Sequence, residues 1–203
     1  MMFLLGQAMH VELKFVTPNA LAQIGEYAGI CYNSNLEEGT CIKRAISCKD
    51  KGHLATLRFA HATFHVSGIS RTCSHQFVRS KHLDFLQRSQ RYCKETDAAF
   101  VFPKLTYTSY TEEYLKESLE RHYKKSMDLY NGLLSLGVKK EDARFALPEA
   151  TATELIVVGN FQAWLDFIAL RADKHAQWEI REVAKTINNI LSEHAPGLFN
   201  WMP

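Results

Sequence analysis

Residues 71–92 hold the side chains best suited to chemistry. The stretch contains four arginines, one lysine and two histidines against a single carboxylate, Asp84. Arg79, Lys81, Arg88 and Arg91 can supply positive charge to a phosphate. Gln76, Ser89 and Gln90 can direct hydrogen bonds to a base or a sugar. The planar guanidinium fork suits two-point recognition of an oxyanion. A solvated face would mix Lys with Glu, and a core strand would be apolar. The stretch therefore reads as an anion site with hydrogen-bonding specificity. Ser89 is read as a phosphate or ribose contact, since no base is evident to activate it as a nucleophile.

A second polar set lies near the C-terminus. Arg144 stands beside the apolar run Phe145, Ala146, Leu147, and Arg171 follows Phe167, Ile168, Ala169 and Leu170. His175, Gln177 and Glu179 come next. An arginine among apolar neighbours needs an anionic partner. Two readings stand: an internal carboxylate such as Glu154 or Glu179, or completion of the anion site begun by Arg79 and Arg91.

Other chemistry is weaker on the page. His61 and His65 share a strand face at metal-pair spacing, but no third ligand accompanies them, so no metal is expected. Cys73 and His75 lack an orienting acid, and Cys73 reads as a small buried side chain. The glycines form neither a phosphate loop nor a dinucleotide fingerprint.

The chain of 203 residues reads as one domain, 1–203, long enough to bury a core. Its net charge of +2 makes basicity local, which favours a discrete anion site over a nucleic-acid-coating surface. Aromatic residues interleave too thinly in the basic stretch for single-strand stacking. Five cysteines without CxxC spacing read as reduced thiols, which places the protein in the cytoplasm. Met1–Met9 is too short and uncharged for a signal peptide, and no segment approaches a membrane span.

The elements that must position these residues follow from periodicity and punctuation. Val11–Val16 predicts a strand. Thr17 and Pro18 open a helix to about Tyr32, with Asn19 as its cap. Residues 33–52 predict a loop or broken helix, His53–Phe59 a short helix, and Ala62–Val66 a strand stopping at Gly68. Arg71–Arg79 predicts a helix, and Phe85–Cys93 extended or irregular chain. Residues 98–107 are apolar, then β-branched, ending in a loop with Pro103. Ser109 and Glu112 form a capping box for a long helix through Leu115, Leu119, Tyr123, Met127, Tyr130 and Leu134, stopped by Gly137. Glu117 with Arg121 and Glu120 with Lys124 are surface pairs on that helix. Glu141–Ala146 predicts a short helix, Ala152–Val158 a strand, and Asn160–Leu170 a helix. Asp173 caps the last helix, whose stripe is Ala176, Ile180, Val183, Ile187 and Ile190 or Leu191. The class is α+β: helices around a small, mostly antiparallel central sheet.

From about Gly52 to Pro196 the chain resembles the flavin-dependent thymidylate synthases. Their signature is Arg-His-Arg followed by Ser-x-Arg-Tyr. Here Arg79-Ser80-Lys81 precedes Ser89-Gln90-Arg91-Tyr92, with Gln76 three residues before Arg79. His53, Thr63-Phe64, Ala143-Arg144 before Leu147-Pro148, and the run Leu170 to Ile180 are similar too. The resemblance implies a homotetramer with shared active sites, dUMP as substrate, FAD as cofactor, and NADPH and methylenetetrahydrofolate as co-substrates. It implies a nucleotide site of Gln76, Arg79, Gln87, Ser89, Arg91, Arg144 and Arg171, with Arg171 catalytic. It implies a flavin site of His53, Arg79, Ser80, Lys81, Asn160, Gln162 and Asp166. The family expectation is reductive C5 methylation of dUMP to dTMP.

The chain departs from the pattern at Ser80 and Lys81, at Arg58-Phe59 in place of Glu-His, and at Gln162 and Asp166 in place of Arg and Asn. Losing a guanidinium fork and gaining a carboxylate weakens the hold on an anionic dinucleotide. An alternative expectation follows: a diverged paralogue that methylates or hydroxymethylates UMP or dUMP, or a non-catalytic pyrimidine-nucleotide-binding protein with a weakened or lost flavin site.

Overall fold

The computed structural model describes residues 8–105 and 110–200. In chain order the elements are β1 (His10–Val16), α1 (Ala20–Ile30), α2 (Glu38–Asp50), a 3-10 turn (Leu54–Phe59), β2 (His61–Ser70), α3 (Arg71–Phe77) and β3 (Leu83–Gln87). There follow α4 (Glu112–Ser135), α5 (Lys140–Ala143), a second 3-10 turn (Arg144–Ala146), β4 (Ala152–Asn160), α6 (Phe161–Arg171) and α7 (Trp178–His194). The strands form an antiparallel sheet in the order β1-β2-β4-β3, as the α+β expectation requires.

Strong periodicity was enough for β1, β4, α4, α6 and α7. In α7, Ile180, Val183, Ile187 and Leu191 are all buried, and Ile190 is only half-buried. Four expectations need correction. The polar stretch 33–52 contains α2, a weakly amphipathic helix that buries only Cys41 and Ala45, one turn apart. β2 does not stop at Gly68; it runs to Ser70, with Gly68 taking φ +69 inside the strand. The stretch 85–93 begins inside β3, a short edge strand. The caps also differ. Asn19 precedes α1 in the left-handed conformation and makes no side-chain cap bond. Asp173 does not cap α7; Gln177 does, accepting from Glu179 N at 3.0 Å and Ile180 N at 3.3 Å. Ser109 lies outside the described residues, and Thr111 caps α4 by accepting from Tyr114 N. Glu117 and Arg121 do pair, at 3.6 Å.

The chain divides into two compact units: Met1–His10, Ser67–His75 and Gln87–Leu155 in one, Val11–Val66, Gln76–Leu86 and Ile156–Pro203 in the other. In the first, Phe100, Tyr123, Met127, Tyr130 and Ala143 form the buried cluster. Phe100 stacks on Tyr123 with ring centroids 4.8 Å apart. The Tyr130 hydroxyl accepts from Glu95 N at 3.1 Å, which ties the chain after the basic stretch to α4. In the second unit an aromatic series runs Phe64, Trp164, Phe167, Phe77 and Phe85, with successive centroids 4.6–5.9 Å apart. Trp164 Nε1 donates to Ala62 O at 3.1 Å, so its polar edge is satisfied in the core.

In the second unit α1 and α2 pack backbone to backbone at Gly25. A Cβ there would stand 1.8 Å from Cys41 O. Backbone cannot swing aside as a side chain can, so Gly25→Ala is expected to cost about 1–3 kcal/mol through forced separation of the two helices. Urea unfolding measures this, and an unchanged midpoint would contradict the close approach.

Candidate active site

Within the first unit, two of the expected nucleotide residues meet at Glu141, and a third joins them through Arg91. Arg91 Nε faces Glu141 Oε2 at 3.4 Å, and Arg144 Nε donates to Glu141 O at 3.0 Å. Ser89 Oγ accepts from Arg91 N at 3.3 Å, which folds the Ser-x-Arg turn back on itself. Arg144 therefore has a backbone carbonyl as a partner. Glu154 lies 3.5 Å from Arg88. Gln87 donates through Nε2 to Ser74 Oγ at 2.8 Å and to Thr153 Oγ1 at 3.4 Å, leaving its carbonyl oxygen for other partners.

Arg88 is a correction to the expected phosphate ligands. It pairs with buried Glu95 at 3.3 Å as well as with Glu154. Glu95 raises the Arg88 guanidinium above its usual value. Its charge is already matched, so it anchors the basic stretch.

Arg71, by contrast, stands outside the nucleotide residues that the resemblance implies. It lines a cleft of about 350 Å³ with His75, Gln90, Arg144, Phe145, Leu147, Pro148 and Glu149. Its Nη2 donates to Arg88 O at 2.8 Å, and its Nε is buried without a partner. Burial lowers the Arg71 pKa; Glu95 opposes this and nearby Arg144 adds to it. Two guanidiniums facing one cleft fit an anion. The sequence carried one signal for Arg71: it opens the same basic run.

Within the second unit, Arg171 and Gln76 come together. Arg171 Nη2 donates to Gln76 O at 2.9 Å, and Arg171 Nε is buried without a partner. Arg79 and Lys81 are exposed on the turn after α3, and Ser80 Oγ is buried without a partner. His82, at φ 62, takes the left-handed conformation that lets the chain reverse into β3. Asn160 caps α6, accepting from Ala163 N at 2.9 Å. Gln162 Oε1 accepts from Arg58 Nε at 2.7 Å, and Asp166 is exposed one turn further on. His53 lines a cavity of about 510 Å³ with Arg44, Lys51, Cys31, Cys48 and Thr56 among others. Among the described residues, no carboxylate lines that cavity.

Cys73 is buried in α3, and none of the five cysteines is in a disulfide. His65 Nδ1 lies 3.8 Å from Glu12, and His61 is exposed.

The family model described as "Thymidylate synthase complementing protein" matches residues 12–197. The chain belongs to the flavin-dependent thymidylate synthase family. Three proteins named flavin-dependent thymidylate synthase show the degree of likeness. The chain is 36% identical to that of Mycobacteroides abscessus over 73% of its own length and 64% of the relative's. It is 34% identical to that of Mycobacterium avium and 35% to that of Mycobacterium marinum, over 86% of this chain and 76% of each relative. The chain thus spans less than two thirds of the first relative and about three quarters of the others.

A flavin-dependent family implies FAD, and the second unit offers donors that fit it. Arg44, Lys51 and His53 bring positive or titratable nitrogen to a cavity that no carboxylate among the described residues lines, and Ser80 holds a buried hydroxyl with no partner. Such a set suits an anionic dinucleotide with a flat apolar ring. No helix among the described residues is long and apolar enough to cross a membrane.

Glu95 gives the site's scaffold a pH dependence. Burial pushes its carboxyl up, and Arg88 acts against that. An acid raised in the folded state contributes stability that is full below its unfolded value and is lost as pH rises through the folded one. Wild type should therefore exceed Glu95→Gln in stability by most near pH ~4 and by least near pH ~7. Urea unfolding across that window measures the gap; a gap widening toward neutral pH would contradict the assignment.

Proposed function

We propose that residues 1–203 form one flavin-dependent thymidylate synthase-like domain that methylates dUMP at C5 to give dTMP. Methylenetetrahydrofolate supplies the carbon, NADPH the reducing equivalents, and FAD the redox chemistry when bound. The observation that carries this reading is Arg171, fixed through Nη2 on Gln76 O with Nε buried and unpartnered. A buried donor without a partner is costly unless a ligand completes it. The uracil edge supplies the missing acceptor, and the guanidinium stabilises negative charge as it develops on the ring.

The other residues divide by chemistry. Arg91, Arg144 and Ser89 hold the 5′-phosphate, and Gln76, Arg79 and Gln87 position the rest of the nucleotide. His53, Arg79, Ser80, Lys81, Asn160, Gln162 and Asp166 hold the flavin. Arg79 carries no ion pair among the described residues, so its charge is available to either ligand. The enzyme works in the cytoplasm as a homotetramer with shared active sites. Exposed apolar side chains such as Leu86, Tyr92 and Phe145 (77%, 74% and 86% exposed) support burial against another subunit.

The test is incubation with dUMP, methylenetetrahydrofolate, FAD and NADPH, with the product identified by mass spectrometry. dTMP is the expected product. A hydroxymethyl product, or turnover of UMP, would instead favour diverged chemistry prompted by Ser80 and Lys81; nucleotide binding without NADPH oxidation would favour a non-catalytic binder. Arg171→Ala is expected to lower turnover at least about 100-fold while the urea midpoint stays near wild type. Turnover at the wild-type rate would remove Arg171 from the mechanism.

A further inference from the structure

Among the described residues, no carboxylate forms an ion pair with Arg58. Its Nε donates to Gln162 Oε1 at 2.7 Å, although both side chains are on the surface. Among the described residues it makes no ion pair, and neither its own 3-10 turn nor the first turn of α6 contains an acid. An amide is an uncharged partner. It fixes one edge of the guanidinium and leaves its charge unneutralised.

The position of Arg58 follows from the geometry of its turn. In a 3-10 helix, residues three apart eclipse. Arg58 therefore follows Ala55 on the same face, and Ala55 lines the cavity with His53, Arg44 and Lys51. The end of this turn is tied to the start of α6, because Phe161 N donates to Ala60 O at 2.9 Å. That bond brings the turn to the start of α6, where Arg58 meets Gln162.

We infer that Arg58 is a further cofactor-binding residue of this chain, held by Gln162 to pair with the phosphate oxygens of a flavin dinucleotide. Gln162 is then a positioning residue, and the cation at this corner is delivered from the 3-10 turn. The inference rests on the proposed flavin site and assigns it a residue that the resemblance did not. It accounts for two departures together: an arginine at 58 and an uncharged amide at 162 make one hydrogen-bonded pair.

The experiment is titration of the full-length protein with FAD, followed by flavin fluorescence and repeated at low and high salt. Arg58→Ala is expected to raise the FAD Kd about tenfold or more, the scale of a lost charge-assisted hydrogen bond. The same variant should lose much of the wild type's salt dependence, which a merely structural role would leave in place. Arg58→Lys should restore part of the affinity, since it keeps the charge and loses the fork. Gln162→Ala should weaken binding less than Arg58→Ala, because the cation remains but is no longer held. Circular dichroism checks that each variant folds. Wild-type uptake with an unchanged Kd or unchanged salt dependence in Arg58→Ala overturns the inference alone. Absence of FAD uptake by the wild type overturns the proposed flavin site and the inference with it.

Discussion

An arginine that is to bind an anion must be held still without being neutralised. Backbone carbonyls meet both demands, since they accept hydrogen bonds and carry no net charge. Arg71 is held on Arg88 O, Arg144 on Glu141 O, Arg171 on Gln76 O, and Arg44 on Gly25 O and Asn35 O. Each of these side chains belongs to the candidate binding residues or lines a cavity beside them. Arg88 and Arg121, which the chain pairs with carboxylates, serve the scaffold and the surface.

The secondary structure makes such carbonyls available. The last four carbonyls of a helix have no partner within it. Gln76 is the penultimate residue of α3, so its oxygen is one of these, and it is the oxygen that receives Arg171. Arg171 is in turn the last residue of α6, where a cation also suits the helix dipole. Glu141 lies in α5, a single turn, and its oxygen turns to the side chain of Arg144. The ends of short helices thus place the guanidiniums, and the long helices supply the buried faces that hold those ends in place.

This division explains what could be read from the sequence. Long apolar periods such as those of α4 and α7 are local, repeated many times, and survive any tertiary context. The arginine clusters were legible because so many donors in one short stretch have little structural use. α2 escaped because burying Cys41 and Ala45 alone leaves almost no period to see. The cap of α7 escaped because Asp173 and Gln177 both have the right chemistry. Which one caps depends on Asp173 already accepting from His175 N at 2.8 Å. Arg71, Arg88 and Arg58 look alike in sequence; only their partners, 7 to 104 residues away, decide that one is an anchor and the others are available.

The two carboxylate-paired arginines of the basic stretch show how magnitude decides between those fates. Arg91 and Glu141 meet at 3.4 Å with side chains 55% and 39% exposed. Solvent and salt screen such a pair to about 0–1 kcal/mol. A phosphate contact to the same guanidinium is worth about 1.5–3 kcal/mol. An arriving phosphate can therefore take Arg91 from Glu141. Arg88 meets Glu95 with that carboxylate only 6% exposed. Withdrawing Arg88 would strand a buried charge, a loss of about 3–5 kcal/mol that one phosphate contact does not repay. The arginines stand three residues apart and carry the same charge. The burial of the partner, not the arginine, leaves one pair open to exchange and the other fixed.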